Sequence, residues 1–100
     1  ANHFGASCDF SSTDNIIAYK TSEHSPVVTR FQKICQKNDL PYSMTSTFGG
    51  SDNNFFALHG IEGLVLATAM NHCHSTKEYT DINELFLAAT VAQDIILSKE

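Results

Sequence analysis

Basic residues are scarce in this chain, and their scarcity argues against two classes of partner. Six Lys and Arg stand against eleven Asp and Glu, which gives a formal net charge of −5. The six basic residues are scattered along the sequence. Nucleic acids and anionic membranes are recognised through a continuous basic stripe or patch. We therefore expect neither a nucleic acid nor a membrane as a partner.

Long apolar runs are also missing. The longest, GLVLATAM at 63–70, falls far short of the ~20 residues that a membrane-spanning helix needs. The first ten residues, ANHFGASCDF, have neither the basic start nor the continuous apolar segment of a signal peptide. Hydrophobic residues make up 42% of the chain and charged residues 17%, without a low-complexity tract, which predicts a folded globular chain.

Cysteines are few, odd in number and without a CxxC pair. The three are Cys8, Cys35 and Cys73, a usage that suits a reducing cytoplasm better than a disulfide framework. We therefore predict a cytoplasmic protein. Cys35 falls on the apolar face of a predicted helix. Cys73 lies between two histidines, and we expect a small buried side chain at the edge of a sheet rather than a nucleophile or a metal ligand.

Two helices carry strong sequence signals. Ser25 suits an N-cap and Pro26 the first helical position. The apolar positions that follow at helical spacing are Val27, Val28, Phe31, Ile34 and Cys35. Later in the chain, Asp81 and Glu84 form a D-x-x-E capping box. The packed stripe predicted for this second helix is Ile82, Leu85, Phe86, Ala89 and Ile96, and Leu87, Val91 and Ile95 are predicted to widen it. A helix this apolar is expected to lie against a sheet.

Three shorter segments have the composition of strands. They are ASCDFSS at 6–12, YSMTST at 42–47 and LVLATAM at 64–70, of which the last is apolar on both faces. A short helix is predicted to begin at Ser51 or Asp52 and to end at Gly60. The order of elements predicts an α/β fold with crossover connections. We divide the chain into residues 1–22, a stub with its connector, and residues 23–100, the α/β unit.

Two loops in this scheme follow strands, where α/β sheets bind ligands. The first, TFGGSDNN at 47–54, has glycines for close backbone approach and a helix N-terminus for an anion. A tight turn with an ordinary N-cap explains this loop without any ligand, and spacing alone favours that explanation. The second, MNHCHST at 70–76, sets His72 and His74 on one side of an extended segment. Imidazoles bind zinc, but a solvated polar loop explains this spacing slightly better.

Taken together, GGSDNNFFALHGIEGLVLATAMNHCHSTKEY resembles the C-terminal part of peptidase T-like aminotripeptidases, relatives of acetylornithine deacetylase, aminoacylase and carboxypeptidase G. The shared pattern is a glycine-rich Ser-Asp-x-Asn turn, Gly-Ile, an apolar strand, and a histidine followed by two hydroxyls and a glutamate. The residues that carry it here are Gly49, Gly50, Ser51, Asp52, Asn54, Gly60, Ile61, His74, Ser75, Thr76 and Glu78. Glu62 stands where the family has proline, and His72 where it requires no histidine.

The resemblance implies the last part of a dizinc peptidase that hydrolyses small peptides. Residues 1–22 would end an inserted lid domain, which often mediates dimers, and residues 23–100 would belong to a catalytic α/β domain. His74 would bind zinc, and Gly49, Gly50, Ser51 and Asp52 would line the substrate side. The general base and the other ligands lie in the family's N-terminal part, outside this chain, so no catalytic residue is assigned and the isolated chain is expected to be inactive.

Two further expectations complete the sequence-based picture. Unpaired strand edges and an exposed apolar face would make the isolated chain a homodimer or a self-associating fragment. The alternative function, from another class, is a small non-enzymatic α/β module that binds a ligand or another subunit through its glycine loop.

Overall fold

The computed structural model describes residues 2–14 and 16–98, and its regular elements are helices. A 3₁₀ turn at Asn2–Phe4 precedes α1 at Pro26–Lys37, α2 at Asp52–Leu58 and α3 at Ile82–Leu97. The three predicted helices are therefore confirmed. None of the helices in the described part of the chain has the length and apolar character to span a lipid bilayer.

The predicted α/β fold is wrong. Within the described ranges there is no sheet, and the β-type pairing is an isolated antiparallel bridge between Asn71 and Tyr79. The segments predicted as strands, 6–12, 42–47 and 64–70, form no ladder. Alternating or apolar side chains suit a pleated, half-buried surface, but a strand forms only when a neighbour takes its N–H and C=O groups. The described residues supply no such neighbour.

The core lies where α1 meets α3. Val28, Ile34 and Cys35 of α1 are buried against Val91 of α3, and Ala69 joins them from the segment before the His-rich loop. The apolar face predicted for α1 is thus confirmed, including the buried position of Cys35. Burial in this apolar contact raises the pKa of the Cys35 thiol, so the side chain stays protonated.

The central stripe predicted to pack on α3 is exposed, and Val91, one of the residues predicted to widen it, is buried instead. Exposure is 81% at Ile82, 76% at Phe86 and 79% at Ile96, whereas Val91 is buried. At 3.6 residues per turn, Val91 lies about 200° around the helix from Ala89, the middle of the predicted stripe. The stripe would need a sheet to cover it. Because that sheet is missing from the described chain, α1 packs instead on the narrower opposite face.

Polar side chains fasten the two helices at the end of α3. Arg30 of α1 donates from Nε to Ser98 Oγ (2.7 Å) and from Nη2 to the carbonyl oxygens of Ile95 and Ser98. A guanidinium is favourable there because the last carbonyls of a helix carry partial negative charge. One turn away, Asp94 accepts from Lys37 Nζ (2.6 Å) and Asn38 Nδ2 (2.8 Å).

Helices α1 and α2 end in the same backbone motif. After α1, Asp39 has φ 52°, and the N–H groups of Asp39 and Leu40 donate to Gln36 and Cys35. After α2, Gly60 has φ 75°, which confirms the predicted left-handed position. The N–H groups of Gly60 and Ile61 donate to the carbonyl oxygens of Ala57 and Phe56, respectively. Both are Schellman motifs, and the first has aspartate where glycine is usual.

The whole chain is extended for its length. Its radius of gyration is 19.3 Å, against about 13 Å for a compact domain of 100 residues. The principal extents are 65 × 36 × 19 Å. Large apolar side chains such as Phe4, Phe10 and Phe48 are exposed. The helical core therefore leaves much of the apolar surface of this sequence in contact with solvent.

The Asp94 contacts predict an acid-sensitive contribution to stability. Hydrogen bonds from Asn38 and Lys37, and then the Lys37 charge, hold the pKa of Asp94 below its ordinary value. The stabilisation is therefore present above the unfolded pKa of ~3.9 and is lost as the pH falls through the lower folded value. Asp94→Asn should lower the Tm at neutral pH and reduce the drop in Tm on acidification, followed by circular dichroism. The exposed Asp14→Asn is the control, and an unchanged pH profile in Asp94→Asn would refute the assignment.

The Asp39 position predicts a stabilising substitution. A left-handed conformation strains any residue with a Cβ, and glycine adopts it freely. Asp39→Gly should raise the free energy of unfolding by about 0.5–1 kcal/mol in a denaturant titration. Asp39→Ala removes the same exposed carboxylate but keeps the Cβ, so it should give no gain. Equal stabilisation by both variants would trace the effect to the carboxylate instead of the backbone.

Candidate functional site

Residues 71–79, here called the His74 loop, form a closed local structure. Its two ends pair through backbone bonds from Asn71 N–H to the Tyr79 carbonyl (3.0 Å) and from Tyr79 N–H to the Asn71 carbonyl (3.1 Å). Thr80 Oγ1 then donates to the Ala69 carbonyl (2.8 Å), just beyond the bridge. Because Ala69 is buried in the core, this bond anchors the base of the loop to the helical part of the molecule.

Inside the His74 loop, short polar contacts hold the backbone. The His74 N–H donates to Glu78 Oε2 (3.0 Å), so the glutamate closes the turn around the histidine. Ser75 Oγ donates to the His72 carbonyl (2.7 Å) and accepts from the Lys77 N–H (3.1 Å). Each of these partners lies within four residues of the other, so the loop is held largely by its own side chains.

The two histidines of the loop have left-handed backbones. The φ angle is 52° at His72 and 63° at His74. The prediction that both rings lie on one side of an extended segment is therefore wrong, since 72–74 is a turn. Left-handed conformations are unfavourable for residues with a Cβ, and two within three residues make this the most strained part of the described backbone.

The side chains of the loop point into solvent. His74 is exposed, and no hydrogen bond holds its ring nitrogens within the described ranges. The His72 ring lies 5.9 Å, centroid to centroid, from the Tyr79 ring. Cys73 is exposed and free, so its predicted burial at a sheet edge is wrong. The imidazole of His74 is thus free to bind a ligand that approaches from solvent.

The described residues do not form a complete metal site by themselves. Across residues 2–14 and 16–98, no three His, Cys, Asp or Glu side chains lie close enough to hold one ion. His59 has a separate role, with Nδ1 2.8 Å from the Phe55 carbonyl at the end of α2. Zinc in proteins takes three or four protein ligands. The His74 loop does not bring three such side chains together, so the further ligands of a zinc ion would have to come from other residues.

The glycine loop, residues 47–54, is organised around Asn54. The Ser51 N–H donates to Asn54 Oδ1 (2.9 Å), and the Asn54 N–H donates to the Ser51 carbonyl (3.0 Å). Asn54 Nδ2 also donates to the Ile17 carbonyl (2.9 Å), which ties the connector to the start of α2. The predicted N-cap position at Ser51 is confirmed, and Asp52 is exposed in the first helical turn.

Gly50 is closely approached, and its neighbour belongs to the chain itself. A Cβ at this position would lie 2.9 Å from Ile16 Cδ1. Its φ is not positive, in contrast to Gly60. The glycine is therefore explained by the packing of the connector, in keeping with the reading of this loop as a tight turn and an N-cap.

The capping box predicted for α3 forms only in part. Asp81 accepts from the N–H groups of Asn83 (2.8 Å) and Glu84 (3.3 Å), so the N-cap is confirmed. The Glu84 carboxylate does not return to Asp81. It accepts instead from Asn71 Nδ2 (2.9 Å) at the start of the His74 loop, and so the first turn of α3 positions the loop.

The two predicted site loops are separate in the described structure. No hydrogen bond within the described ranges joins residues 49–52 to the His74 loop. A groove of about 850 Å³ lies between α1 and the end of α3. A second, of about 600 Å³, lies beside the core and includes Tyr42 and Leu66. Neither groove is lined by His74 or by residues 49–52.

Compared with protein families, with curated proteins and with solved structures, the chain gives no match.

Sequence reasoning singled out His74 but missed the residues that hold its loop. Asn71 and Tyr79 lie within the stretch that resembles the peptidase pattern and Thr80 directly follows it, yet none of the three is a motif residue, and they act through backbone pairing or bonds to distant groups. The spacing of His74 and Glu78 did carry a signal, because a side chain four residues on is well placed to close a turn. The bond from Asn71 to Glu84 could not be predicted from the sequence, since the capping box predicted that Glu84 would bond to Asp81.

The Glu78 contact predicts a local effect on the His74 loop. Glu78→Ala removes the acceptor of the His74 N–H, and a hydrogen bond to a charged acceptor contributes up to about 1.5–3 kcal/mol, less at an exposed site. We expect amide exchange at His74, measured by NMR, to become roughly tenfold faster, a change of ~1.4 kcal/mol. Lys77→Ala, an exposed neighbour, should leave it unchanged. Equal exchange rates in Glu78→Ala and the original chain would show that this bond does not form in solution.

Proposed function

We propose that this chain is part of a zinc-dependent peptidase that hydrolyses small peptides, in the manner of a tripeptide aminopeptidase, and that His74 is one of its metal ligands. The observation that carries the proposal is the His74 loop: a closed, strained turn that presents an unpaired imidazole to solvent. The proposal also rests on the resemblance of residues 49–79 to the peptidase pattern.

Backbone strain supports a functional role for this loop. A left-handed residue with a Cβ costs on the order of 1–2 kcal/mol, and such residues cluster at binding and active sites. Two residues out of three in succession, His72 and His74, have this conformation. The Glu78 carboxylate and the Asn71–Tyr79 bridge stabilise the turn that they form.

The donor set fits a shared metal site. Neutral imidazole is a natural zinc ligand, and the remaining ligands and the general base would come from residues outside this chain. Bound zinc would supply a Lewis acid and lower the pKa of a coordinated water. The role of this chain is to hold a ring nitrogen of His74 in a fixed position, and the hydrogen bond from the His74 N–H to Glu78 fixes the backbone there. On its own the chain is inactive.

The substrate side of the proposal involves Gly49, Gly50, Ser51 and Asp52. These residues are exposed, and the Asn54 bonds hold their turn against the connector. The exposed Asp52 carboxylate complements the positively charged amino terminus of a short peptide. Simultaneous contact of this loop and His74 with one substrate belongs to the complete protein.

Compartment and assembly follow the same reasoning. The three cysteines are free in the described part of the chain, two of them exposed, which supports a reducing, cytoplasmic location. The large exposed apolar surface supports self-association or a homodimer.

That surface also favours the second candidate function, a non-enzymatic interaction module. Large apolar side chains are exposed at many positions, including Phe10, Phe48, Phe86 and Ile96. An exposed apolar patch of several hundred Å² commonly marks a protein–protein contact. Loss of bound metal on mutation of His74 separates the two functions, because an interaction module has no metal to lose.

His74 substitutions test the peptidase proposal. In the complete protein that contains this chain, His74→Ala should lower the bound zinc and reduce peptide hydrolysis by several orders of magnitude, since no other side chain replaces the ligand. His74→Gly should lose the metal equally while relieving the left-handed strain, by about 0.5–1 kcal/mol in the apo protein. Metal analysis, hydrolysis assays and denaturant titrations measure the three quantities.

His72→Ala is the matched control, since it alters the neighbouring left-handed histidine. It should leave zinc content and activity close to those of the original protein. Full zinc occupancy and activity in His74→Ala would overturn the ligand assignment, and a severe loss in His72→Ala alone would move it two residues upstream. A protein that holds no zinc before mutation would leave the interaction module as the function.

A further inference from the structure

The side of α3 that faces away from α1 is a continuous apolar face. We call it the outer face of α3, formed by Ile82, Leu85, Phe86, Ala89, Ala92 and Ile96. All six are exposed, with 81% at Ile82 and 79% at Ile96. They recur at spacings of three, four and seven residues, so neighbouring side chains contact one another along the helix. No acid or base interrupts the face, and Gln93 is the one polar residue that lies among its members.

Except for Leu85, whose counterpart four residues after Ala89 is the polar Gln93, the residues of this face are arranged symmetrically about Ala89 in position but not in size. Ile82 and Ile96 lie seven residues to either side. Phe86, three residues before Ala89, corresponds to Ala92, three residues after it. A second copy of α3, run antiparallel about Ala89, therefore sets each Phe86 over the small Ala92 of its partner and each Ile82 against Ile96. Two alanines meet at the centre, where the helices approach most closely.

Charge on α3 does not oppose such a pairing. The acids of the helix, Glu84 and Asp94, are engaged elsewhere, Glu84 with Asn71 and Asp94 with Lys37 and Asn38. An antiparallel arrangement also brings the positive N-terminus of each helix near the negative C-terminus of the other.

The exposed area is of the right order for a stable contact. Ile82, Leu85, Phe86 and Ile96 each expose more than half of their surface. Together with Leu97, which is 68% exposed at the end of the helix, they present several hundred Å² of apolar area. A specific interface buries about 800 Å² per partner, and these five side chains supply a large part of that.

From this self-complementarity we infer that the outer face of α3 is a homodimer interface, in which α3 packs antiparallel on α3 of a second copy about a two-fold axis at Ala89. Such an interface is closed, because the same patch serves both copies, and it ends at the dimer. It uses no residue of the His74 loop or the glycine loop, so it stands or falls independently of the peptidase proposal.

Sedimentation velocity over a wide range of concentration tests the interface. The 11.0 kDa chain should show a monomer–dimer equilibrium and no larger species. Ala89→Glu sets two carboxylates against each other at the axis and should raise the dissociation constant at least ~tenfold. Phe48→Glu, which adds the same charge at a fully exposed aromatic outside α3, is the control and should not change it. Circular dichroism verifies that both variants keep their helices.

Cross-linking tests the direction of the pairing. In a Cys8→Ser, Cys73→Ser background, Ala89→Cys should form a disulfide-linked dimer on mild oxidation, since the two Cα atoms lie within the ~7 Å that a disulfide spans. Ile82→Cys should not, because an antiparallel pair separates its copies by roughly 20 Å along the axis. A monomer at every concentration, larger aggregates, equal effects of the two glutamate variants, or linkage through Ile82→Cys would each overturn the inference.

Discussion

The packing of α1 on α3 is the interaction on which the rest of the structure depends. It brings together helices more than forty residues apart in sequence, and it buries Val28, Ile34 and Cys35 against Val91. Arg30 fastens the pair by donating to the carbonyl oxygens of Ile95 and Ser98 at the end of α3, where helix carbonyls lack intrahelical partners. Everything between α1 and α3 is attached to this pair as loops, extended segments and one short helix.

The small size of this core has two consequences. The first is an extended shape, since a radius of gyration of 19.3 Å is larger than that of a compact domain of this length. The second is the large amount of exposed apolar surface, of which the outer face of α3 is the most regular part. Surface of this kind is removed from water by association, and a helix face that matches its own copy gives that association a defined form.

The His74 loop obeys a different constraint. Its conformation owes little to burial, because its side chains are exposed. It rests on backbone pairing between Asn71 and Tyr79, on the Glu78 carboxylate, and on the contact from Asn71 to α3 through Glu84. The strain at His72 and His74 is thereby stored in a local structure whose anchors lie in the core and in the first turn of α3. That combination suits the proposed role of His74, which is to bind a metal ion whose other ligands come from residues outside this chain.

The sequence by itself determined the helices and most of their ends. Pro26, Asp81 and Gly60 act within one turn of their own positions, so their preferences depend little on the tertiary context. Ser25 lies at the predicted N-cap of α1, although its side chain makes no capping hydrogen bond. Periodicity also identified the buried face of α1. These features depend on neighbours in sequence, and the same holds for the turn around Asn54.

Tertiary structure decided what covers each apolar surface and where each site residue lies. The α/β prediction failed because strands need partners that a pattern of side chains does not supply. The central apolar stripe predicted for α3 does run along one side of the helix, but it is exposed, and α1 packs on the other side, where Val91 lies. His74 could be singled out from its motif, but its left-handed backbone and its separation from the glycine loop follow from contacts by Glu78, Tyr79 and Ile17. The bond from Asn54 to the Ile17 carbonyl joins residues far apart in sequence, and the residue pattern of a single sequence does not show which distant groups will meet.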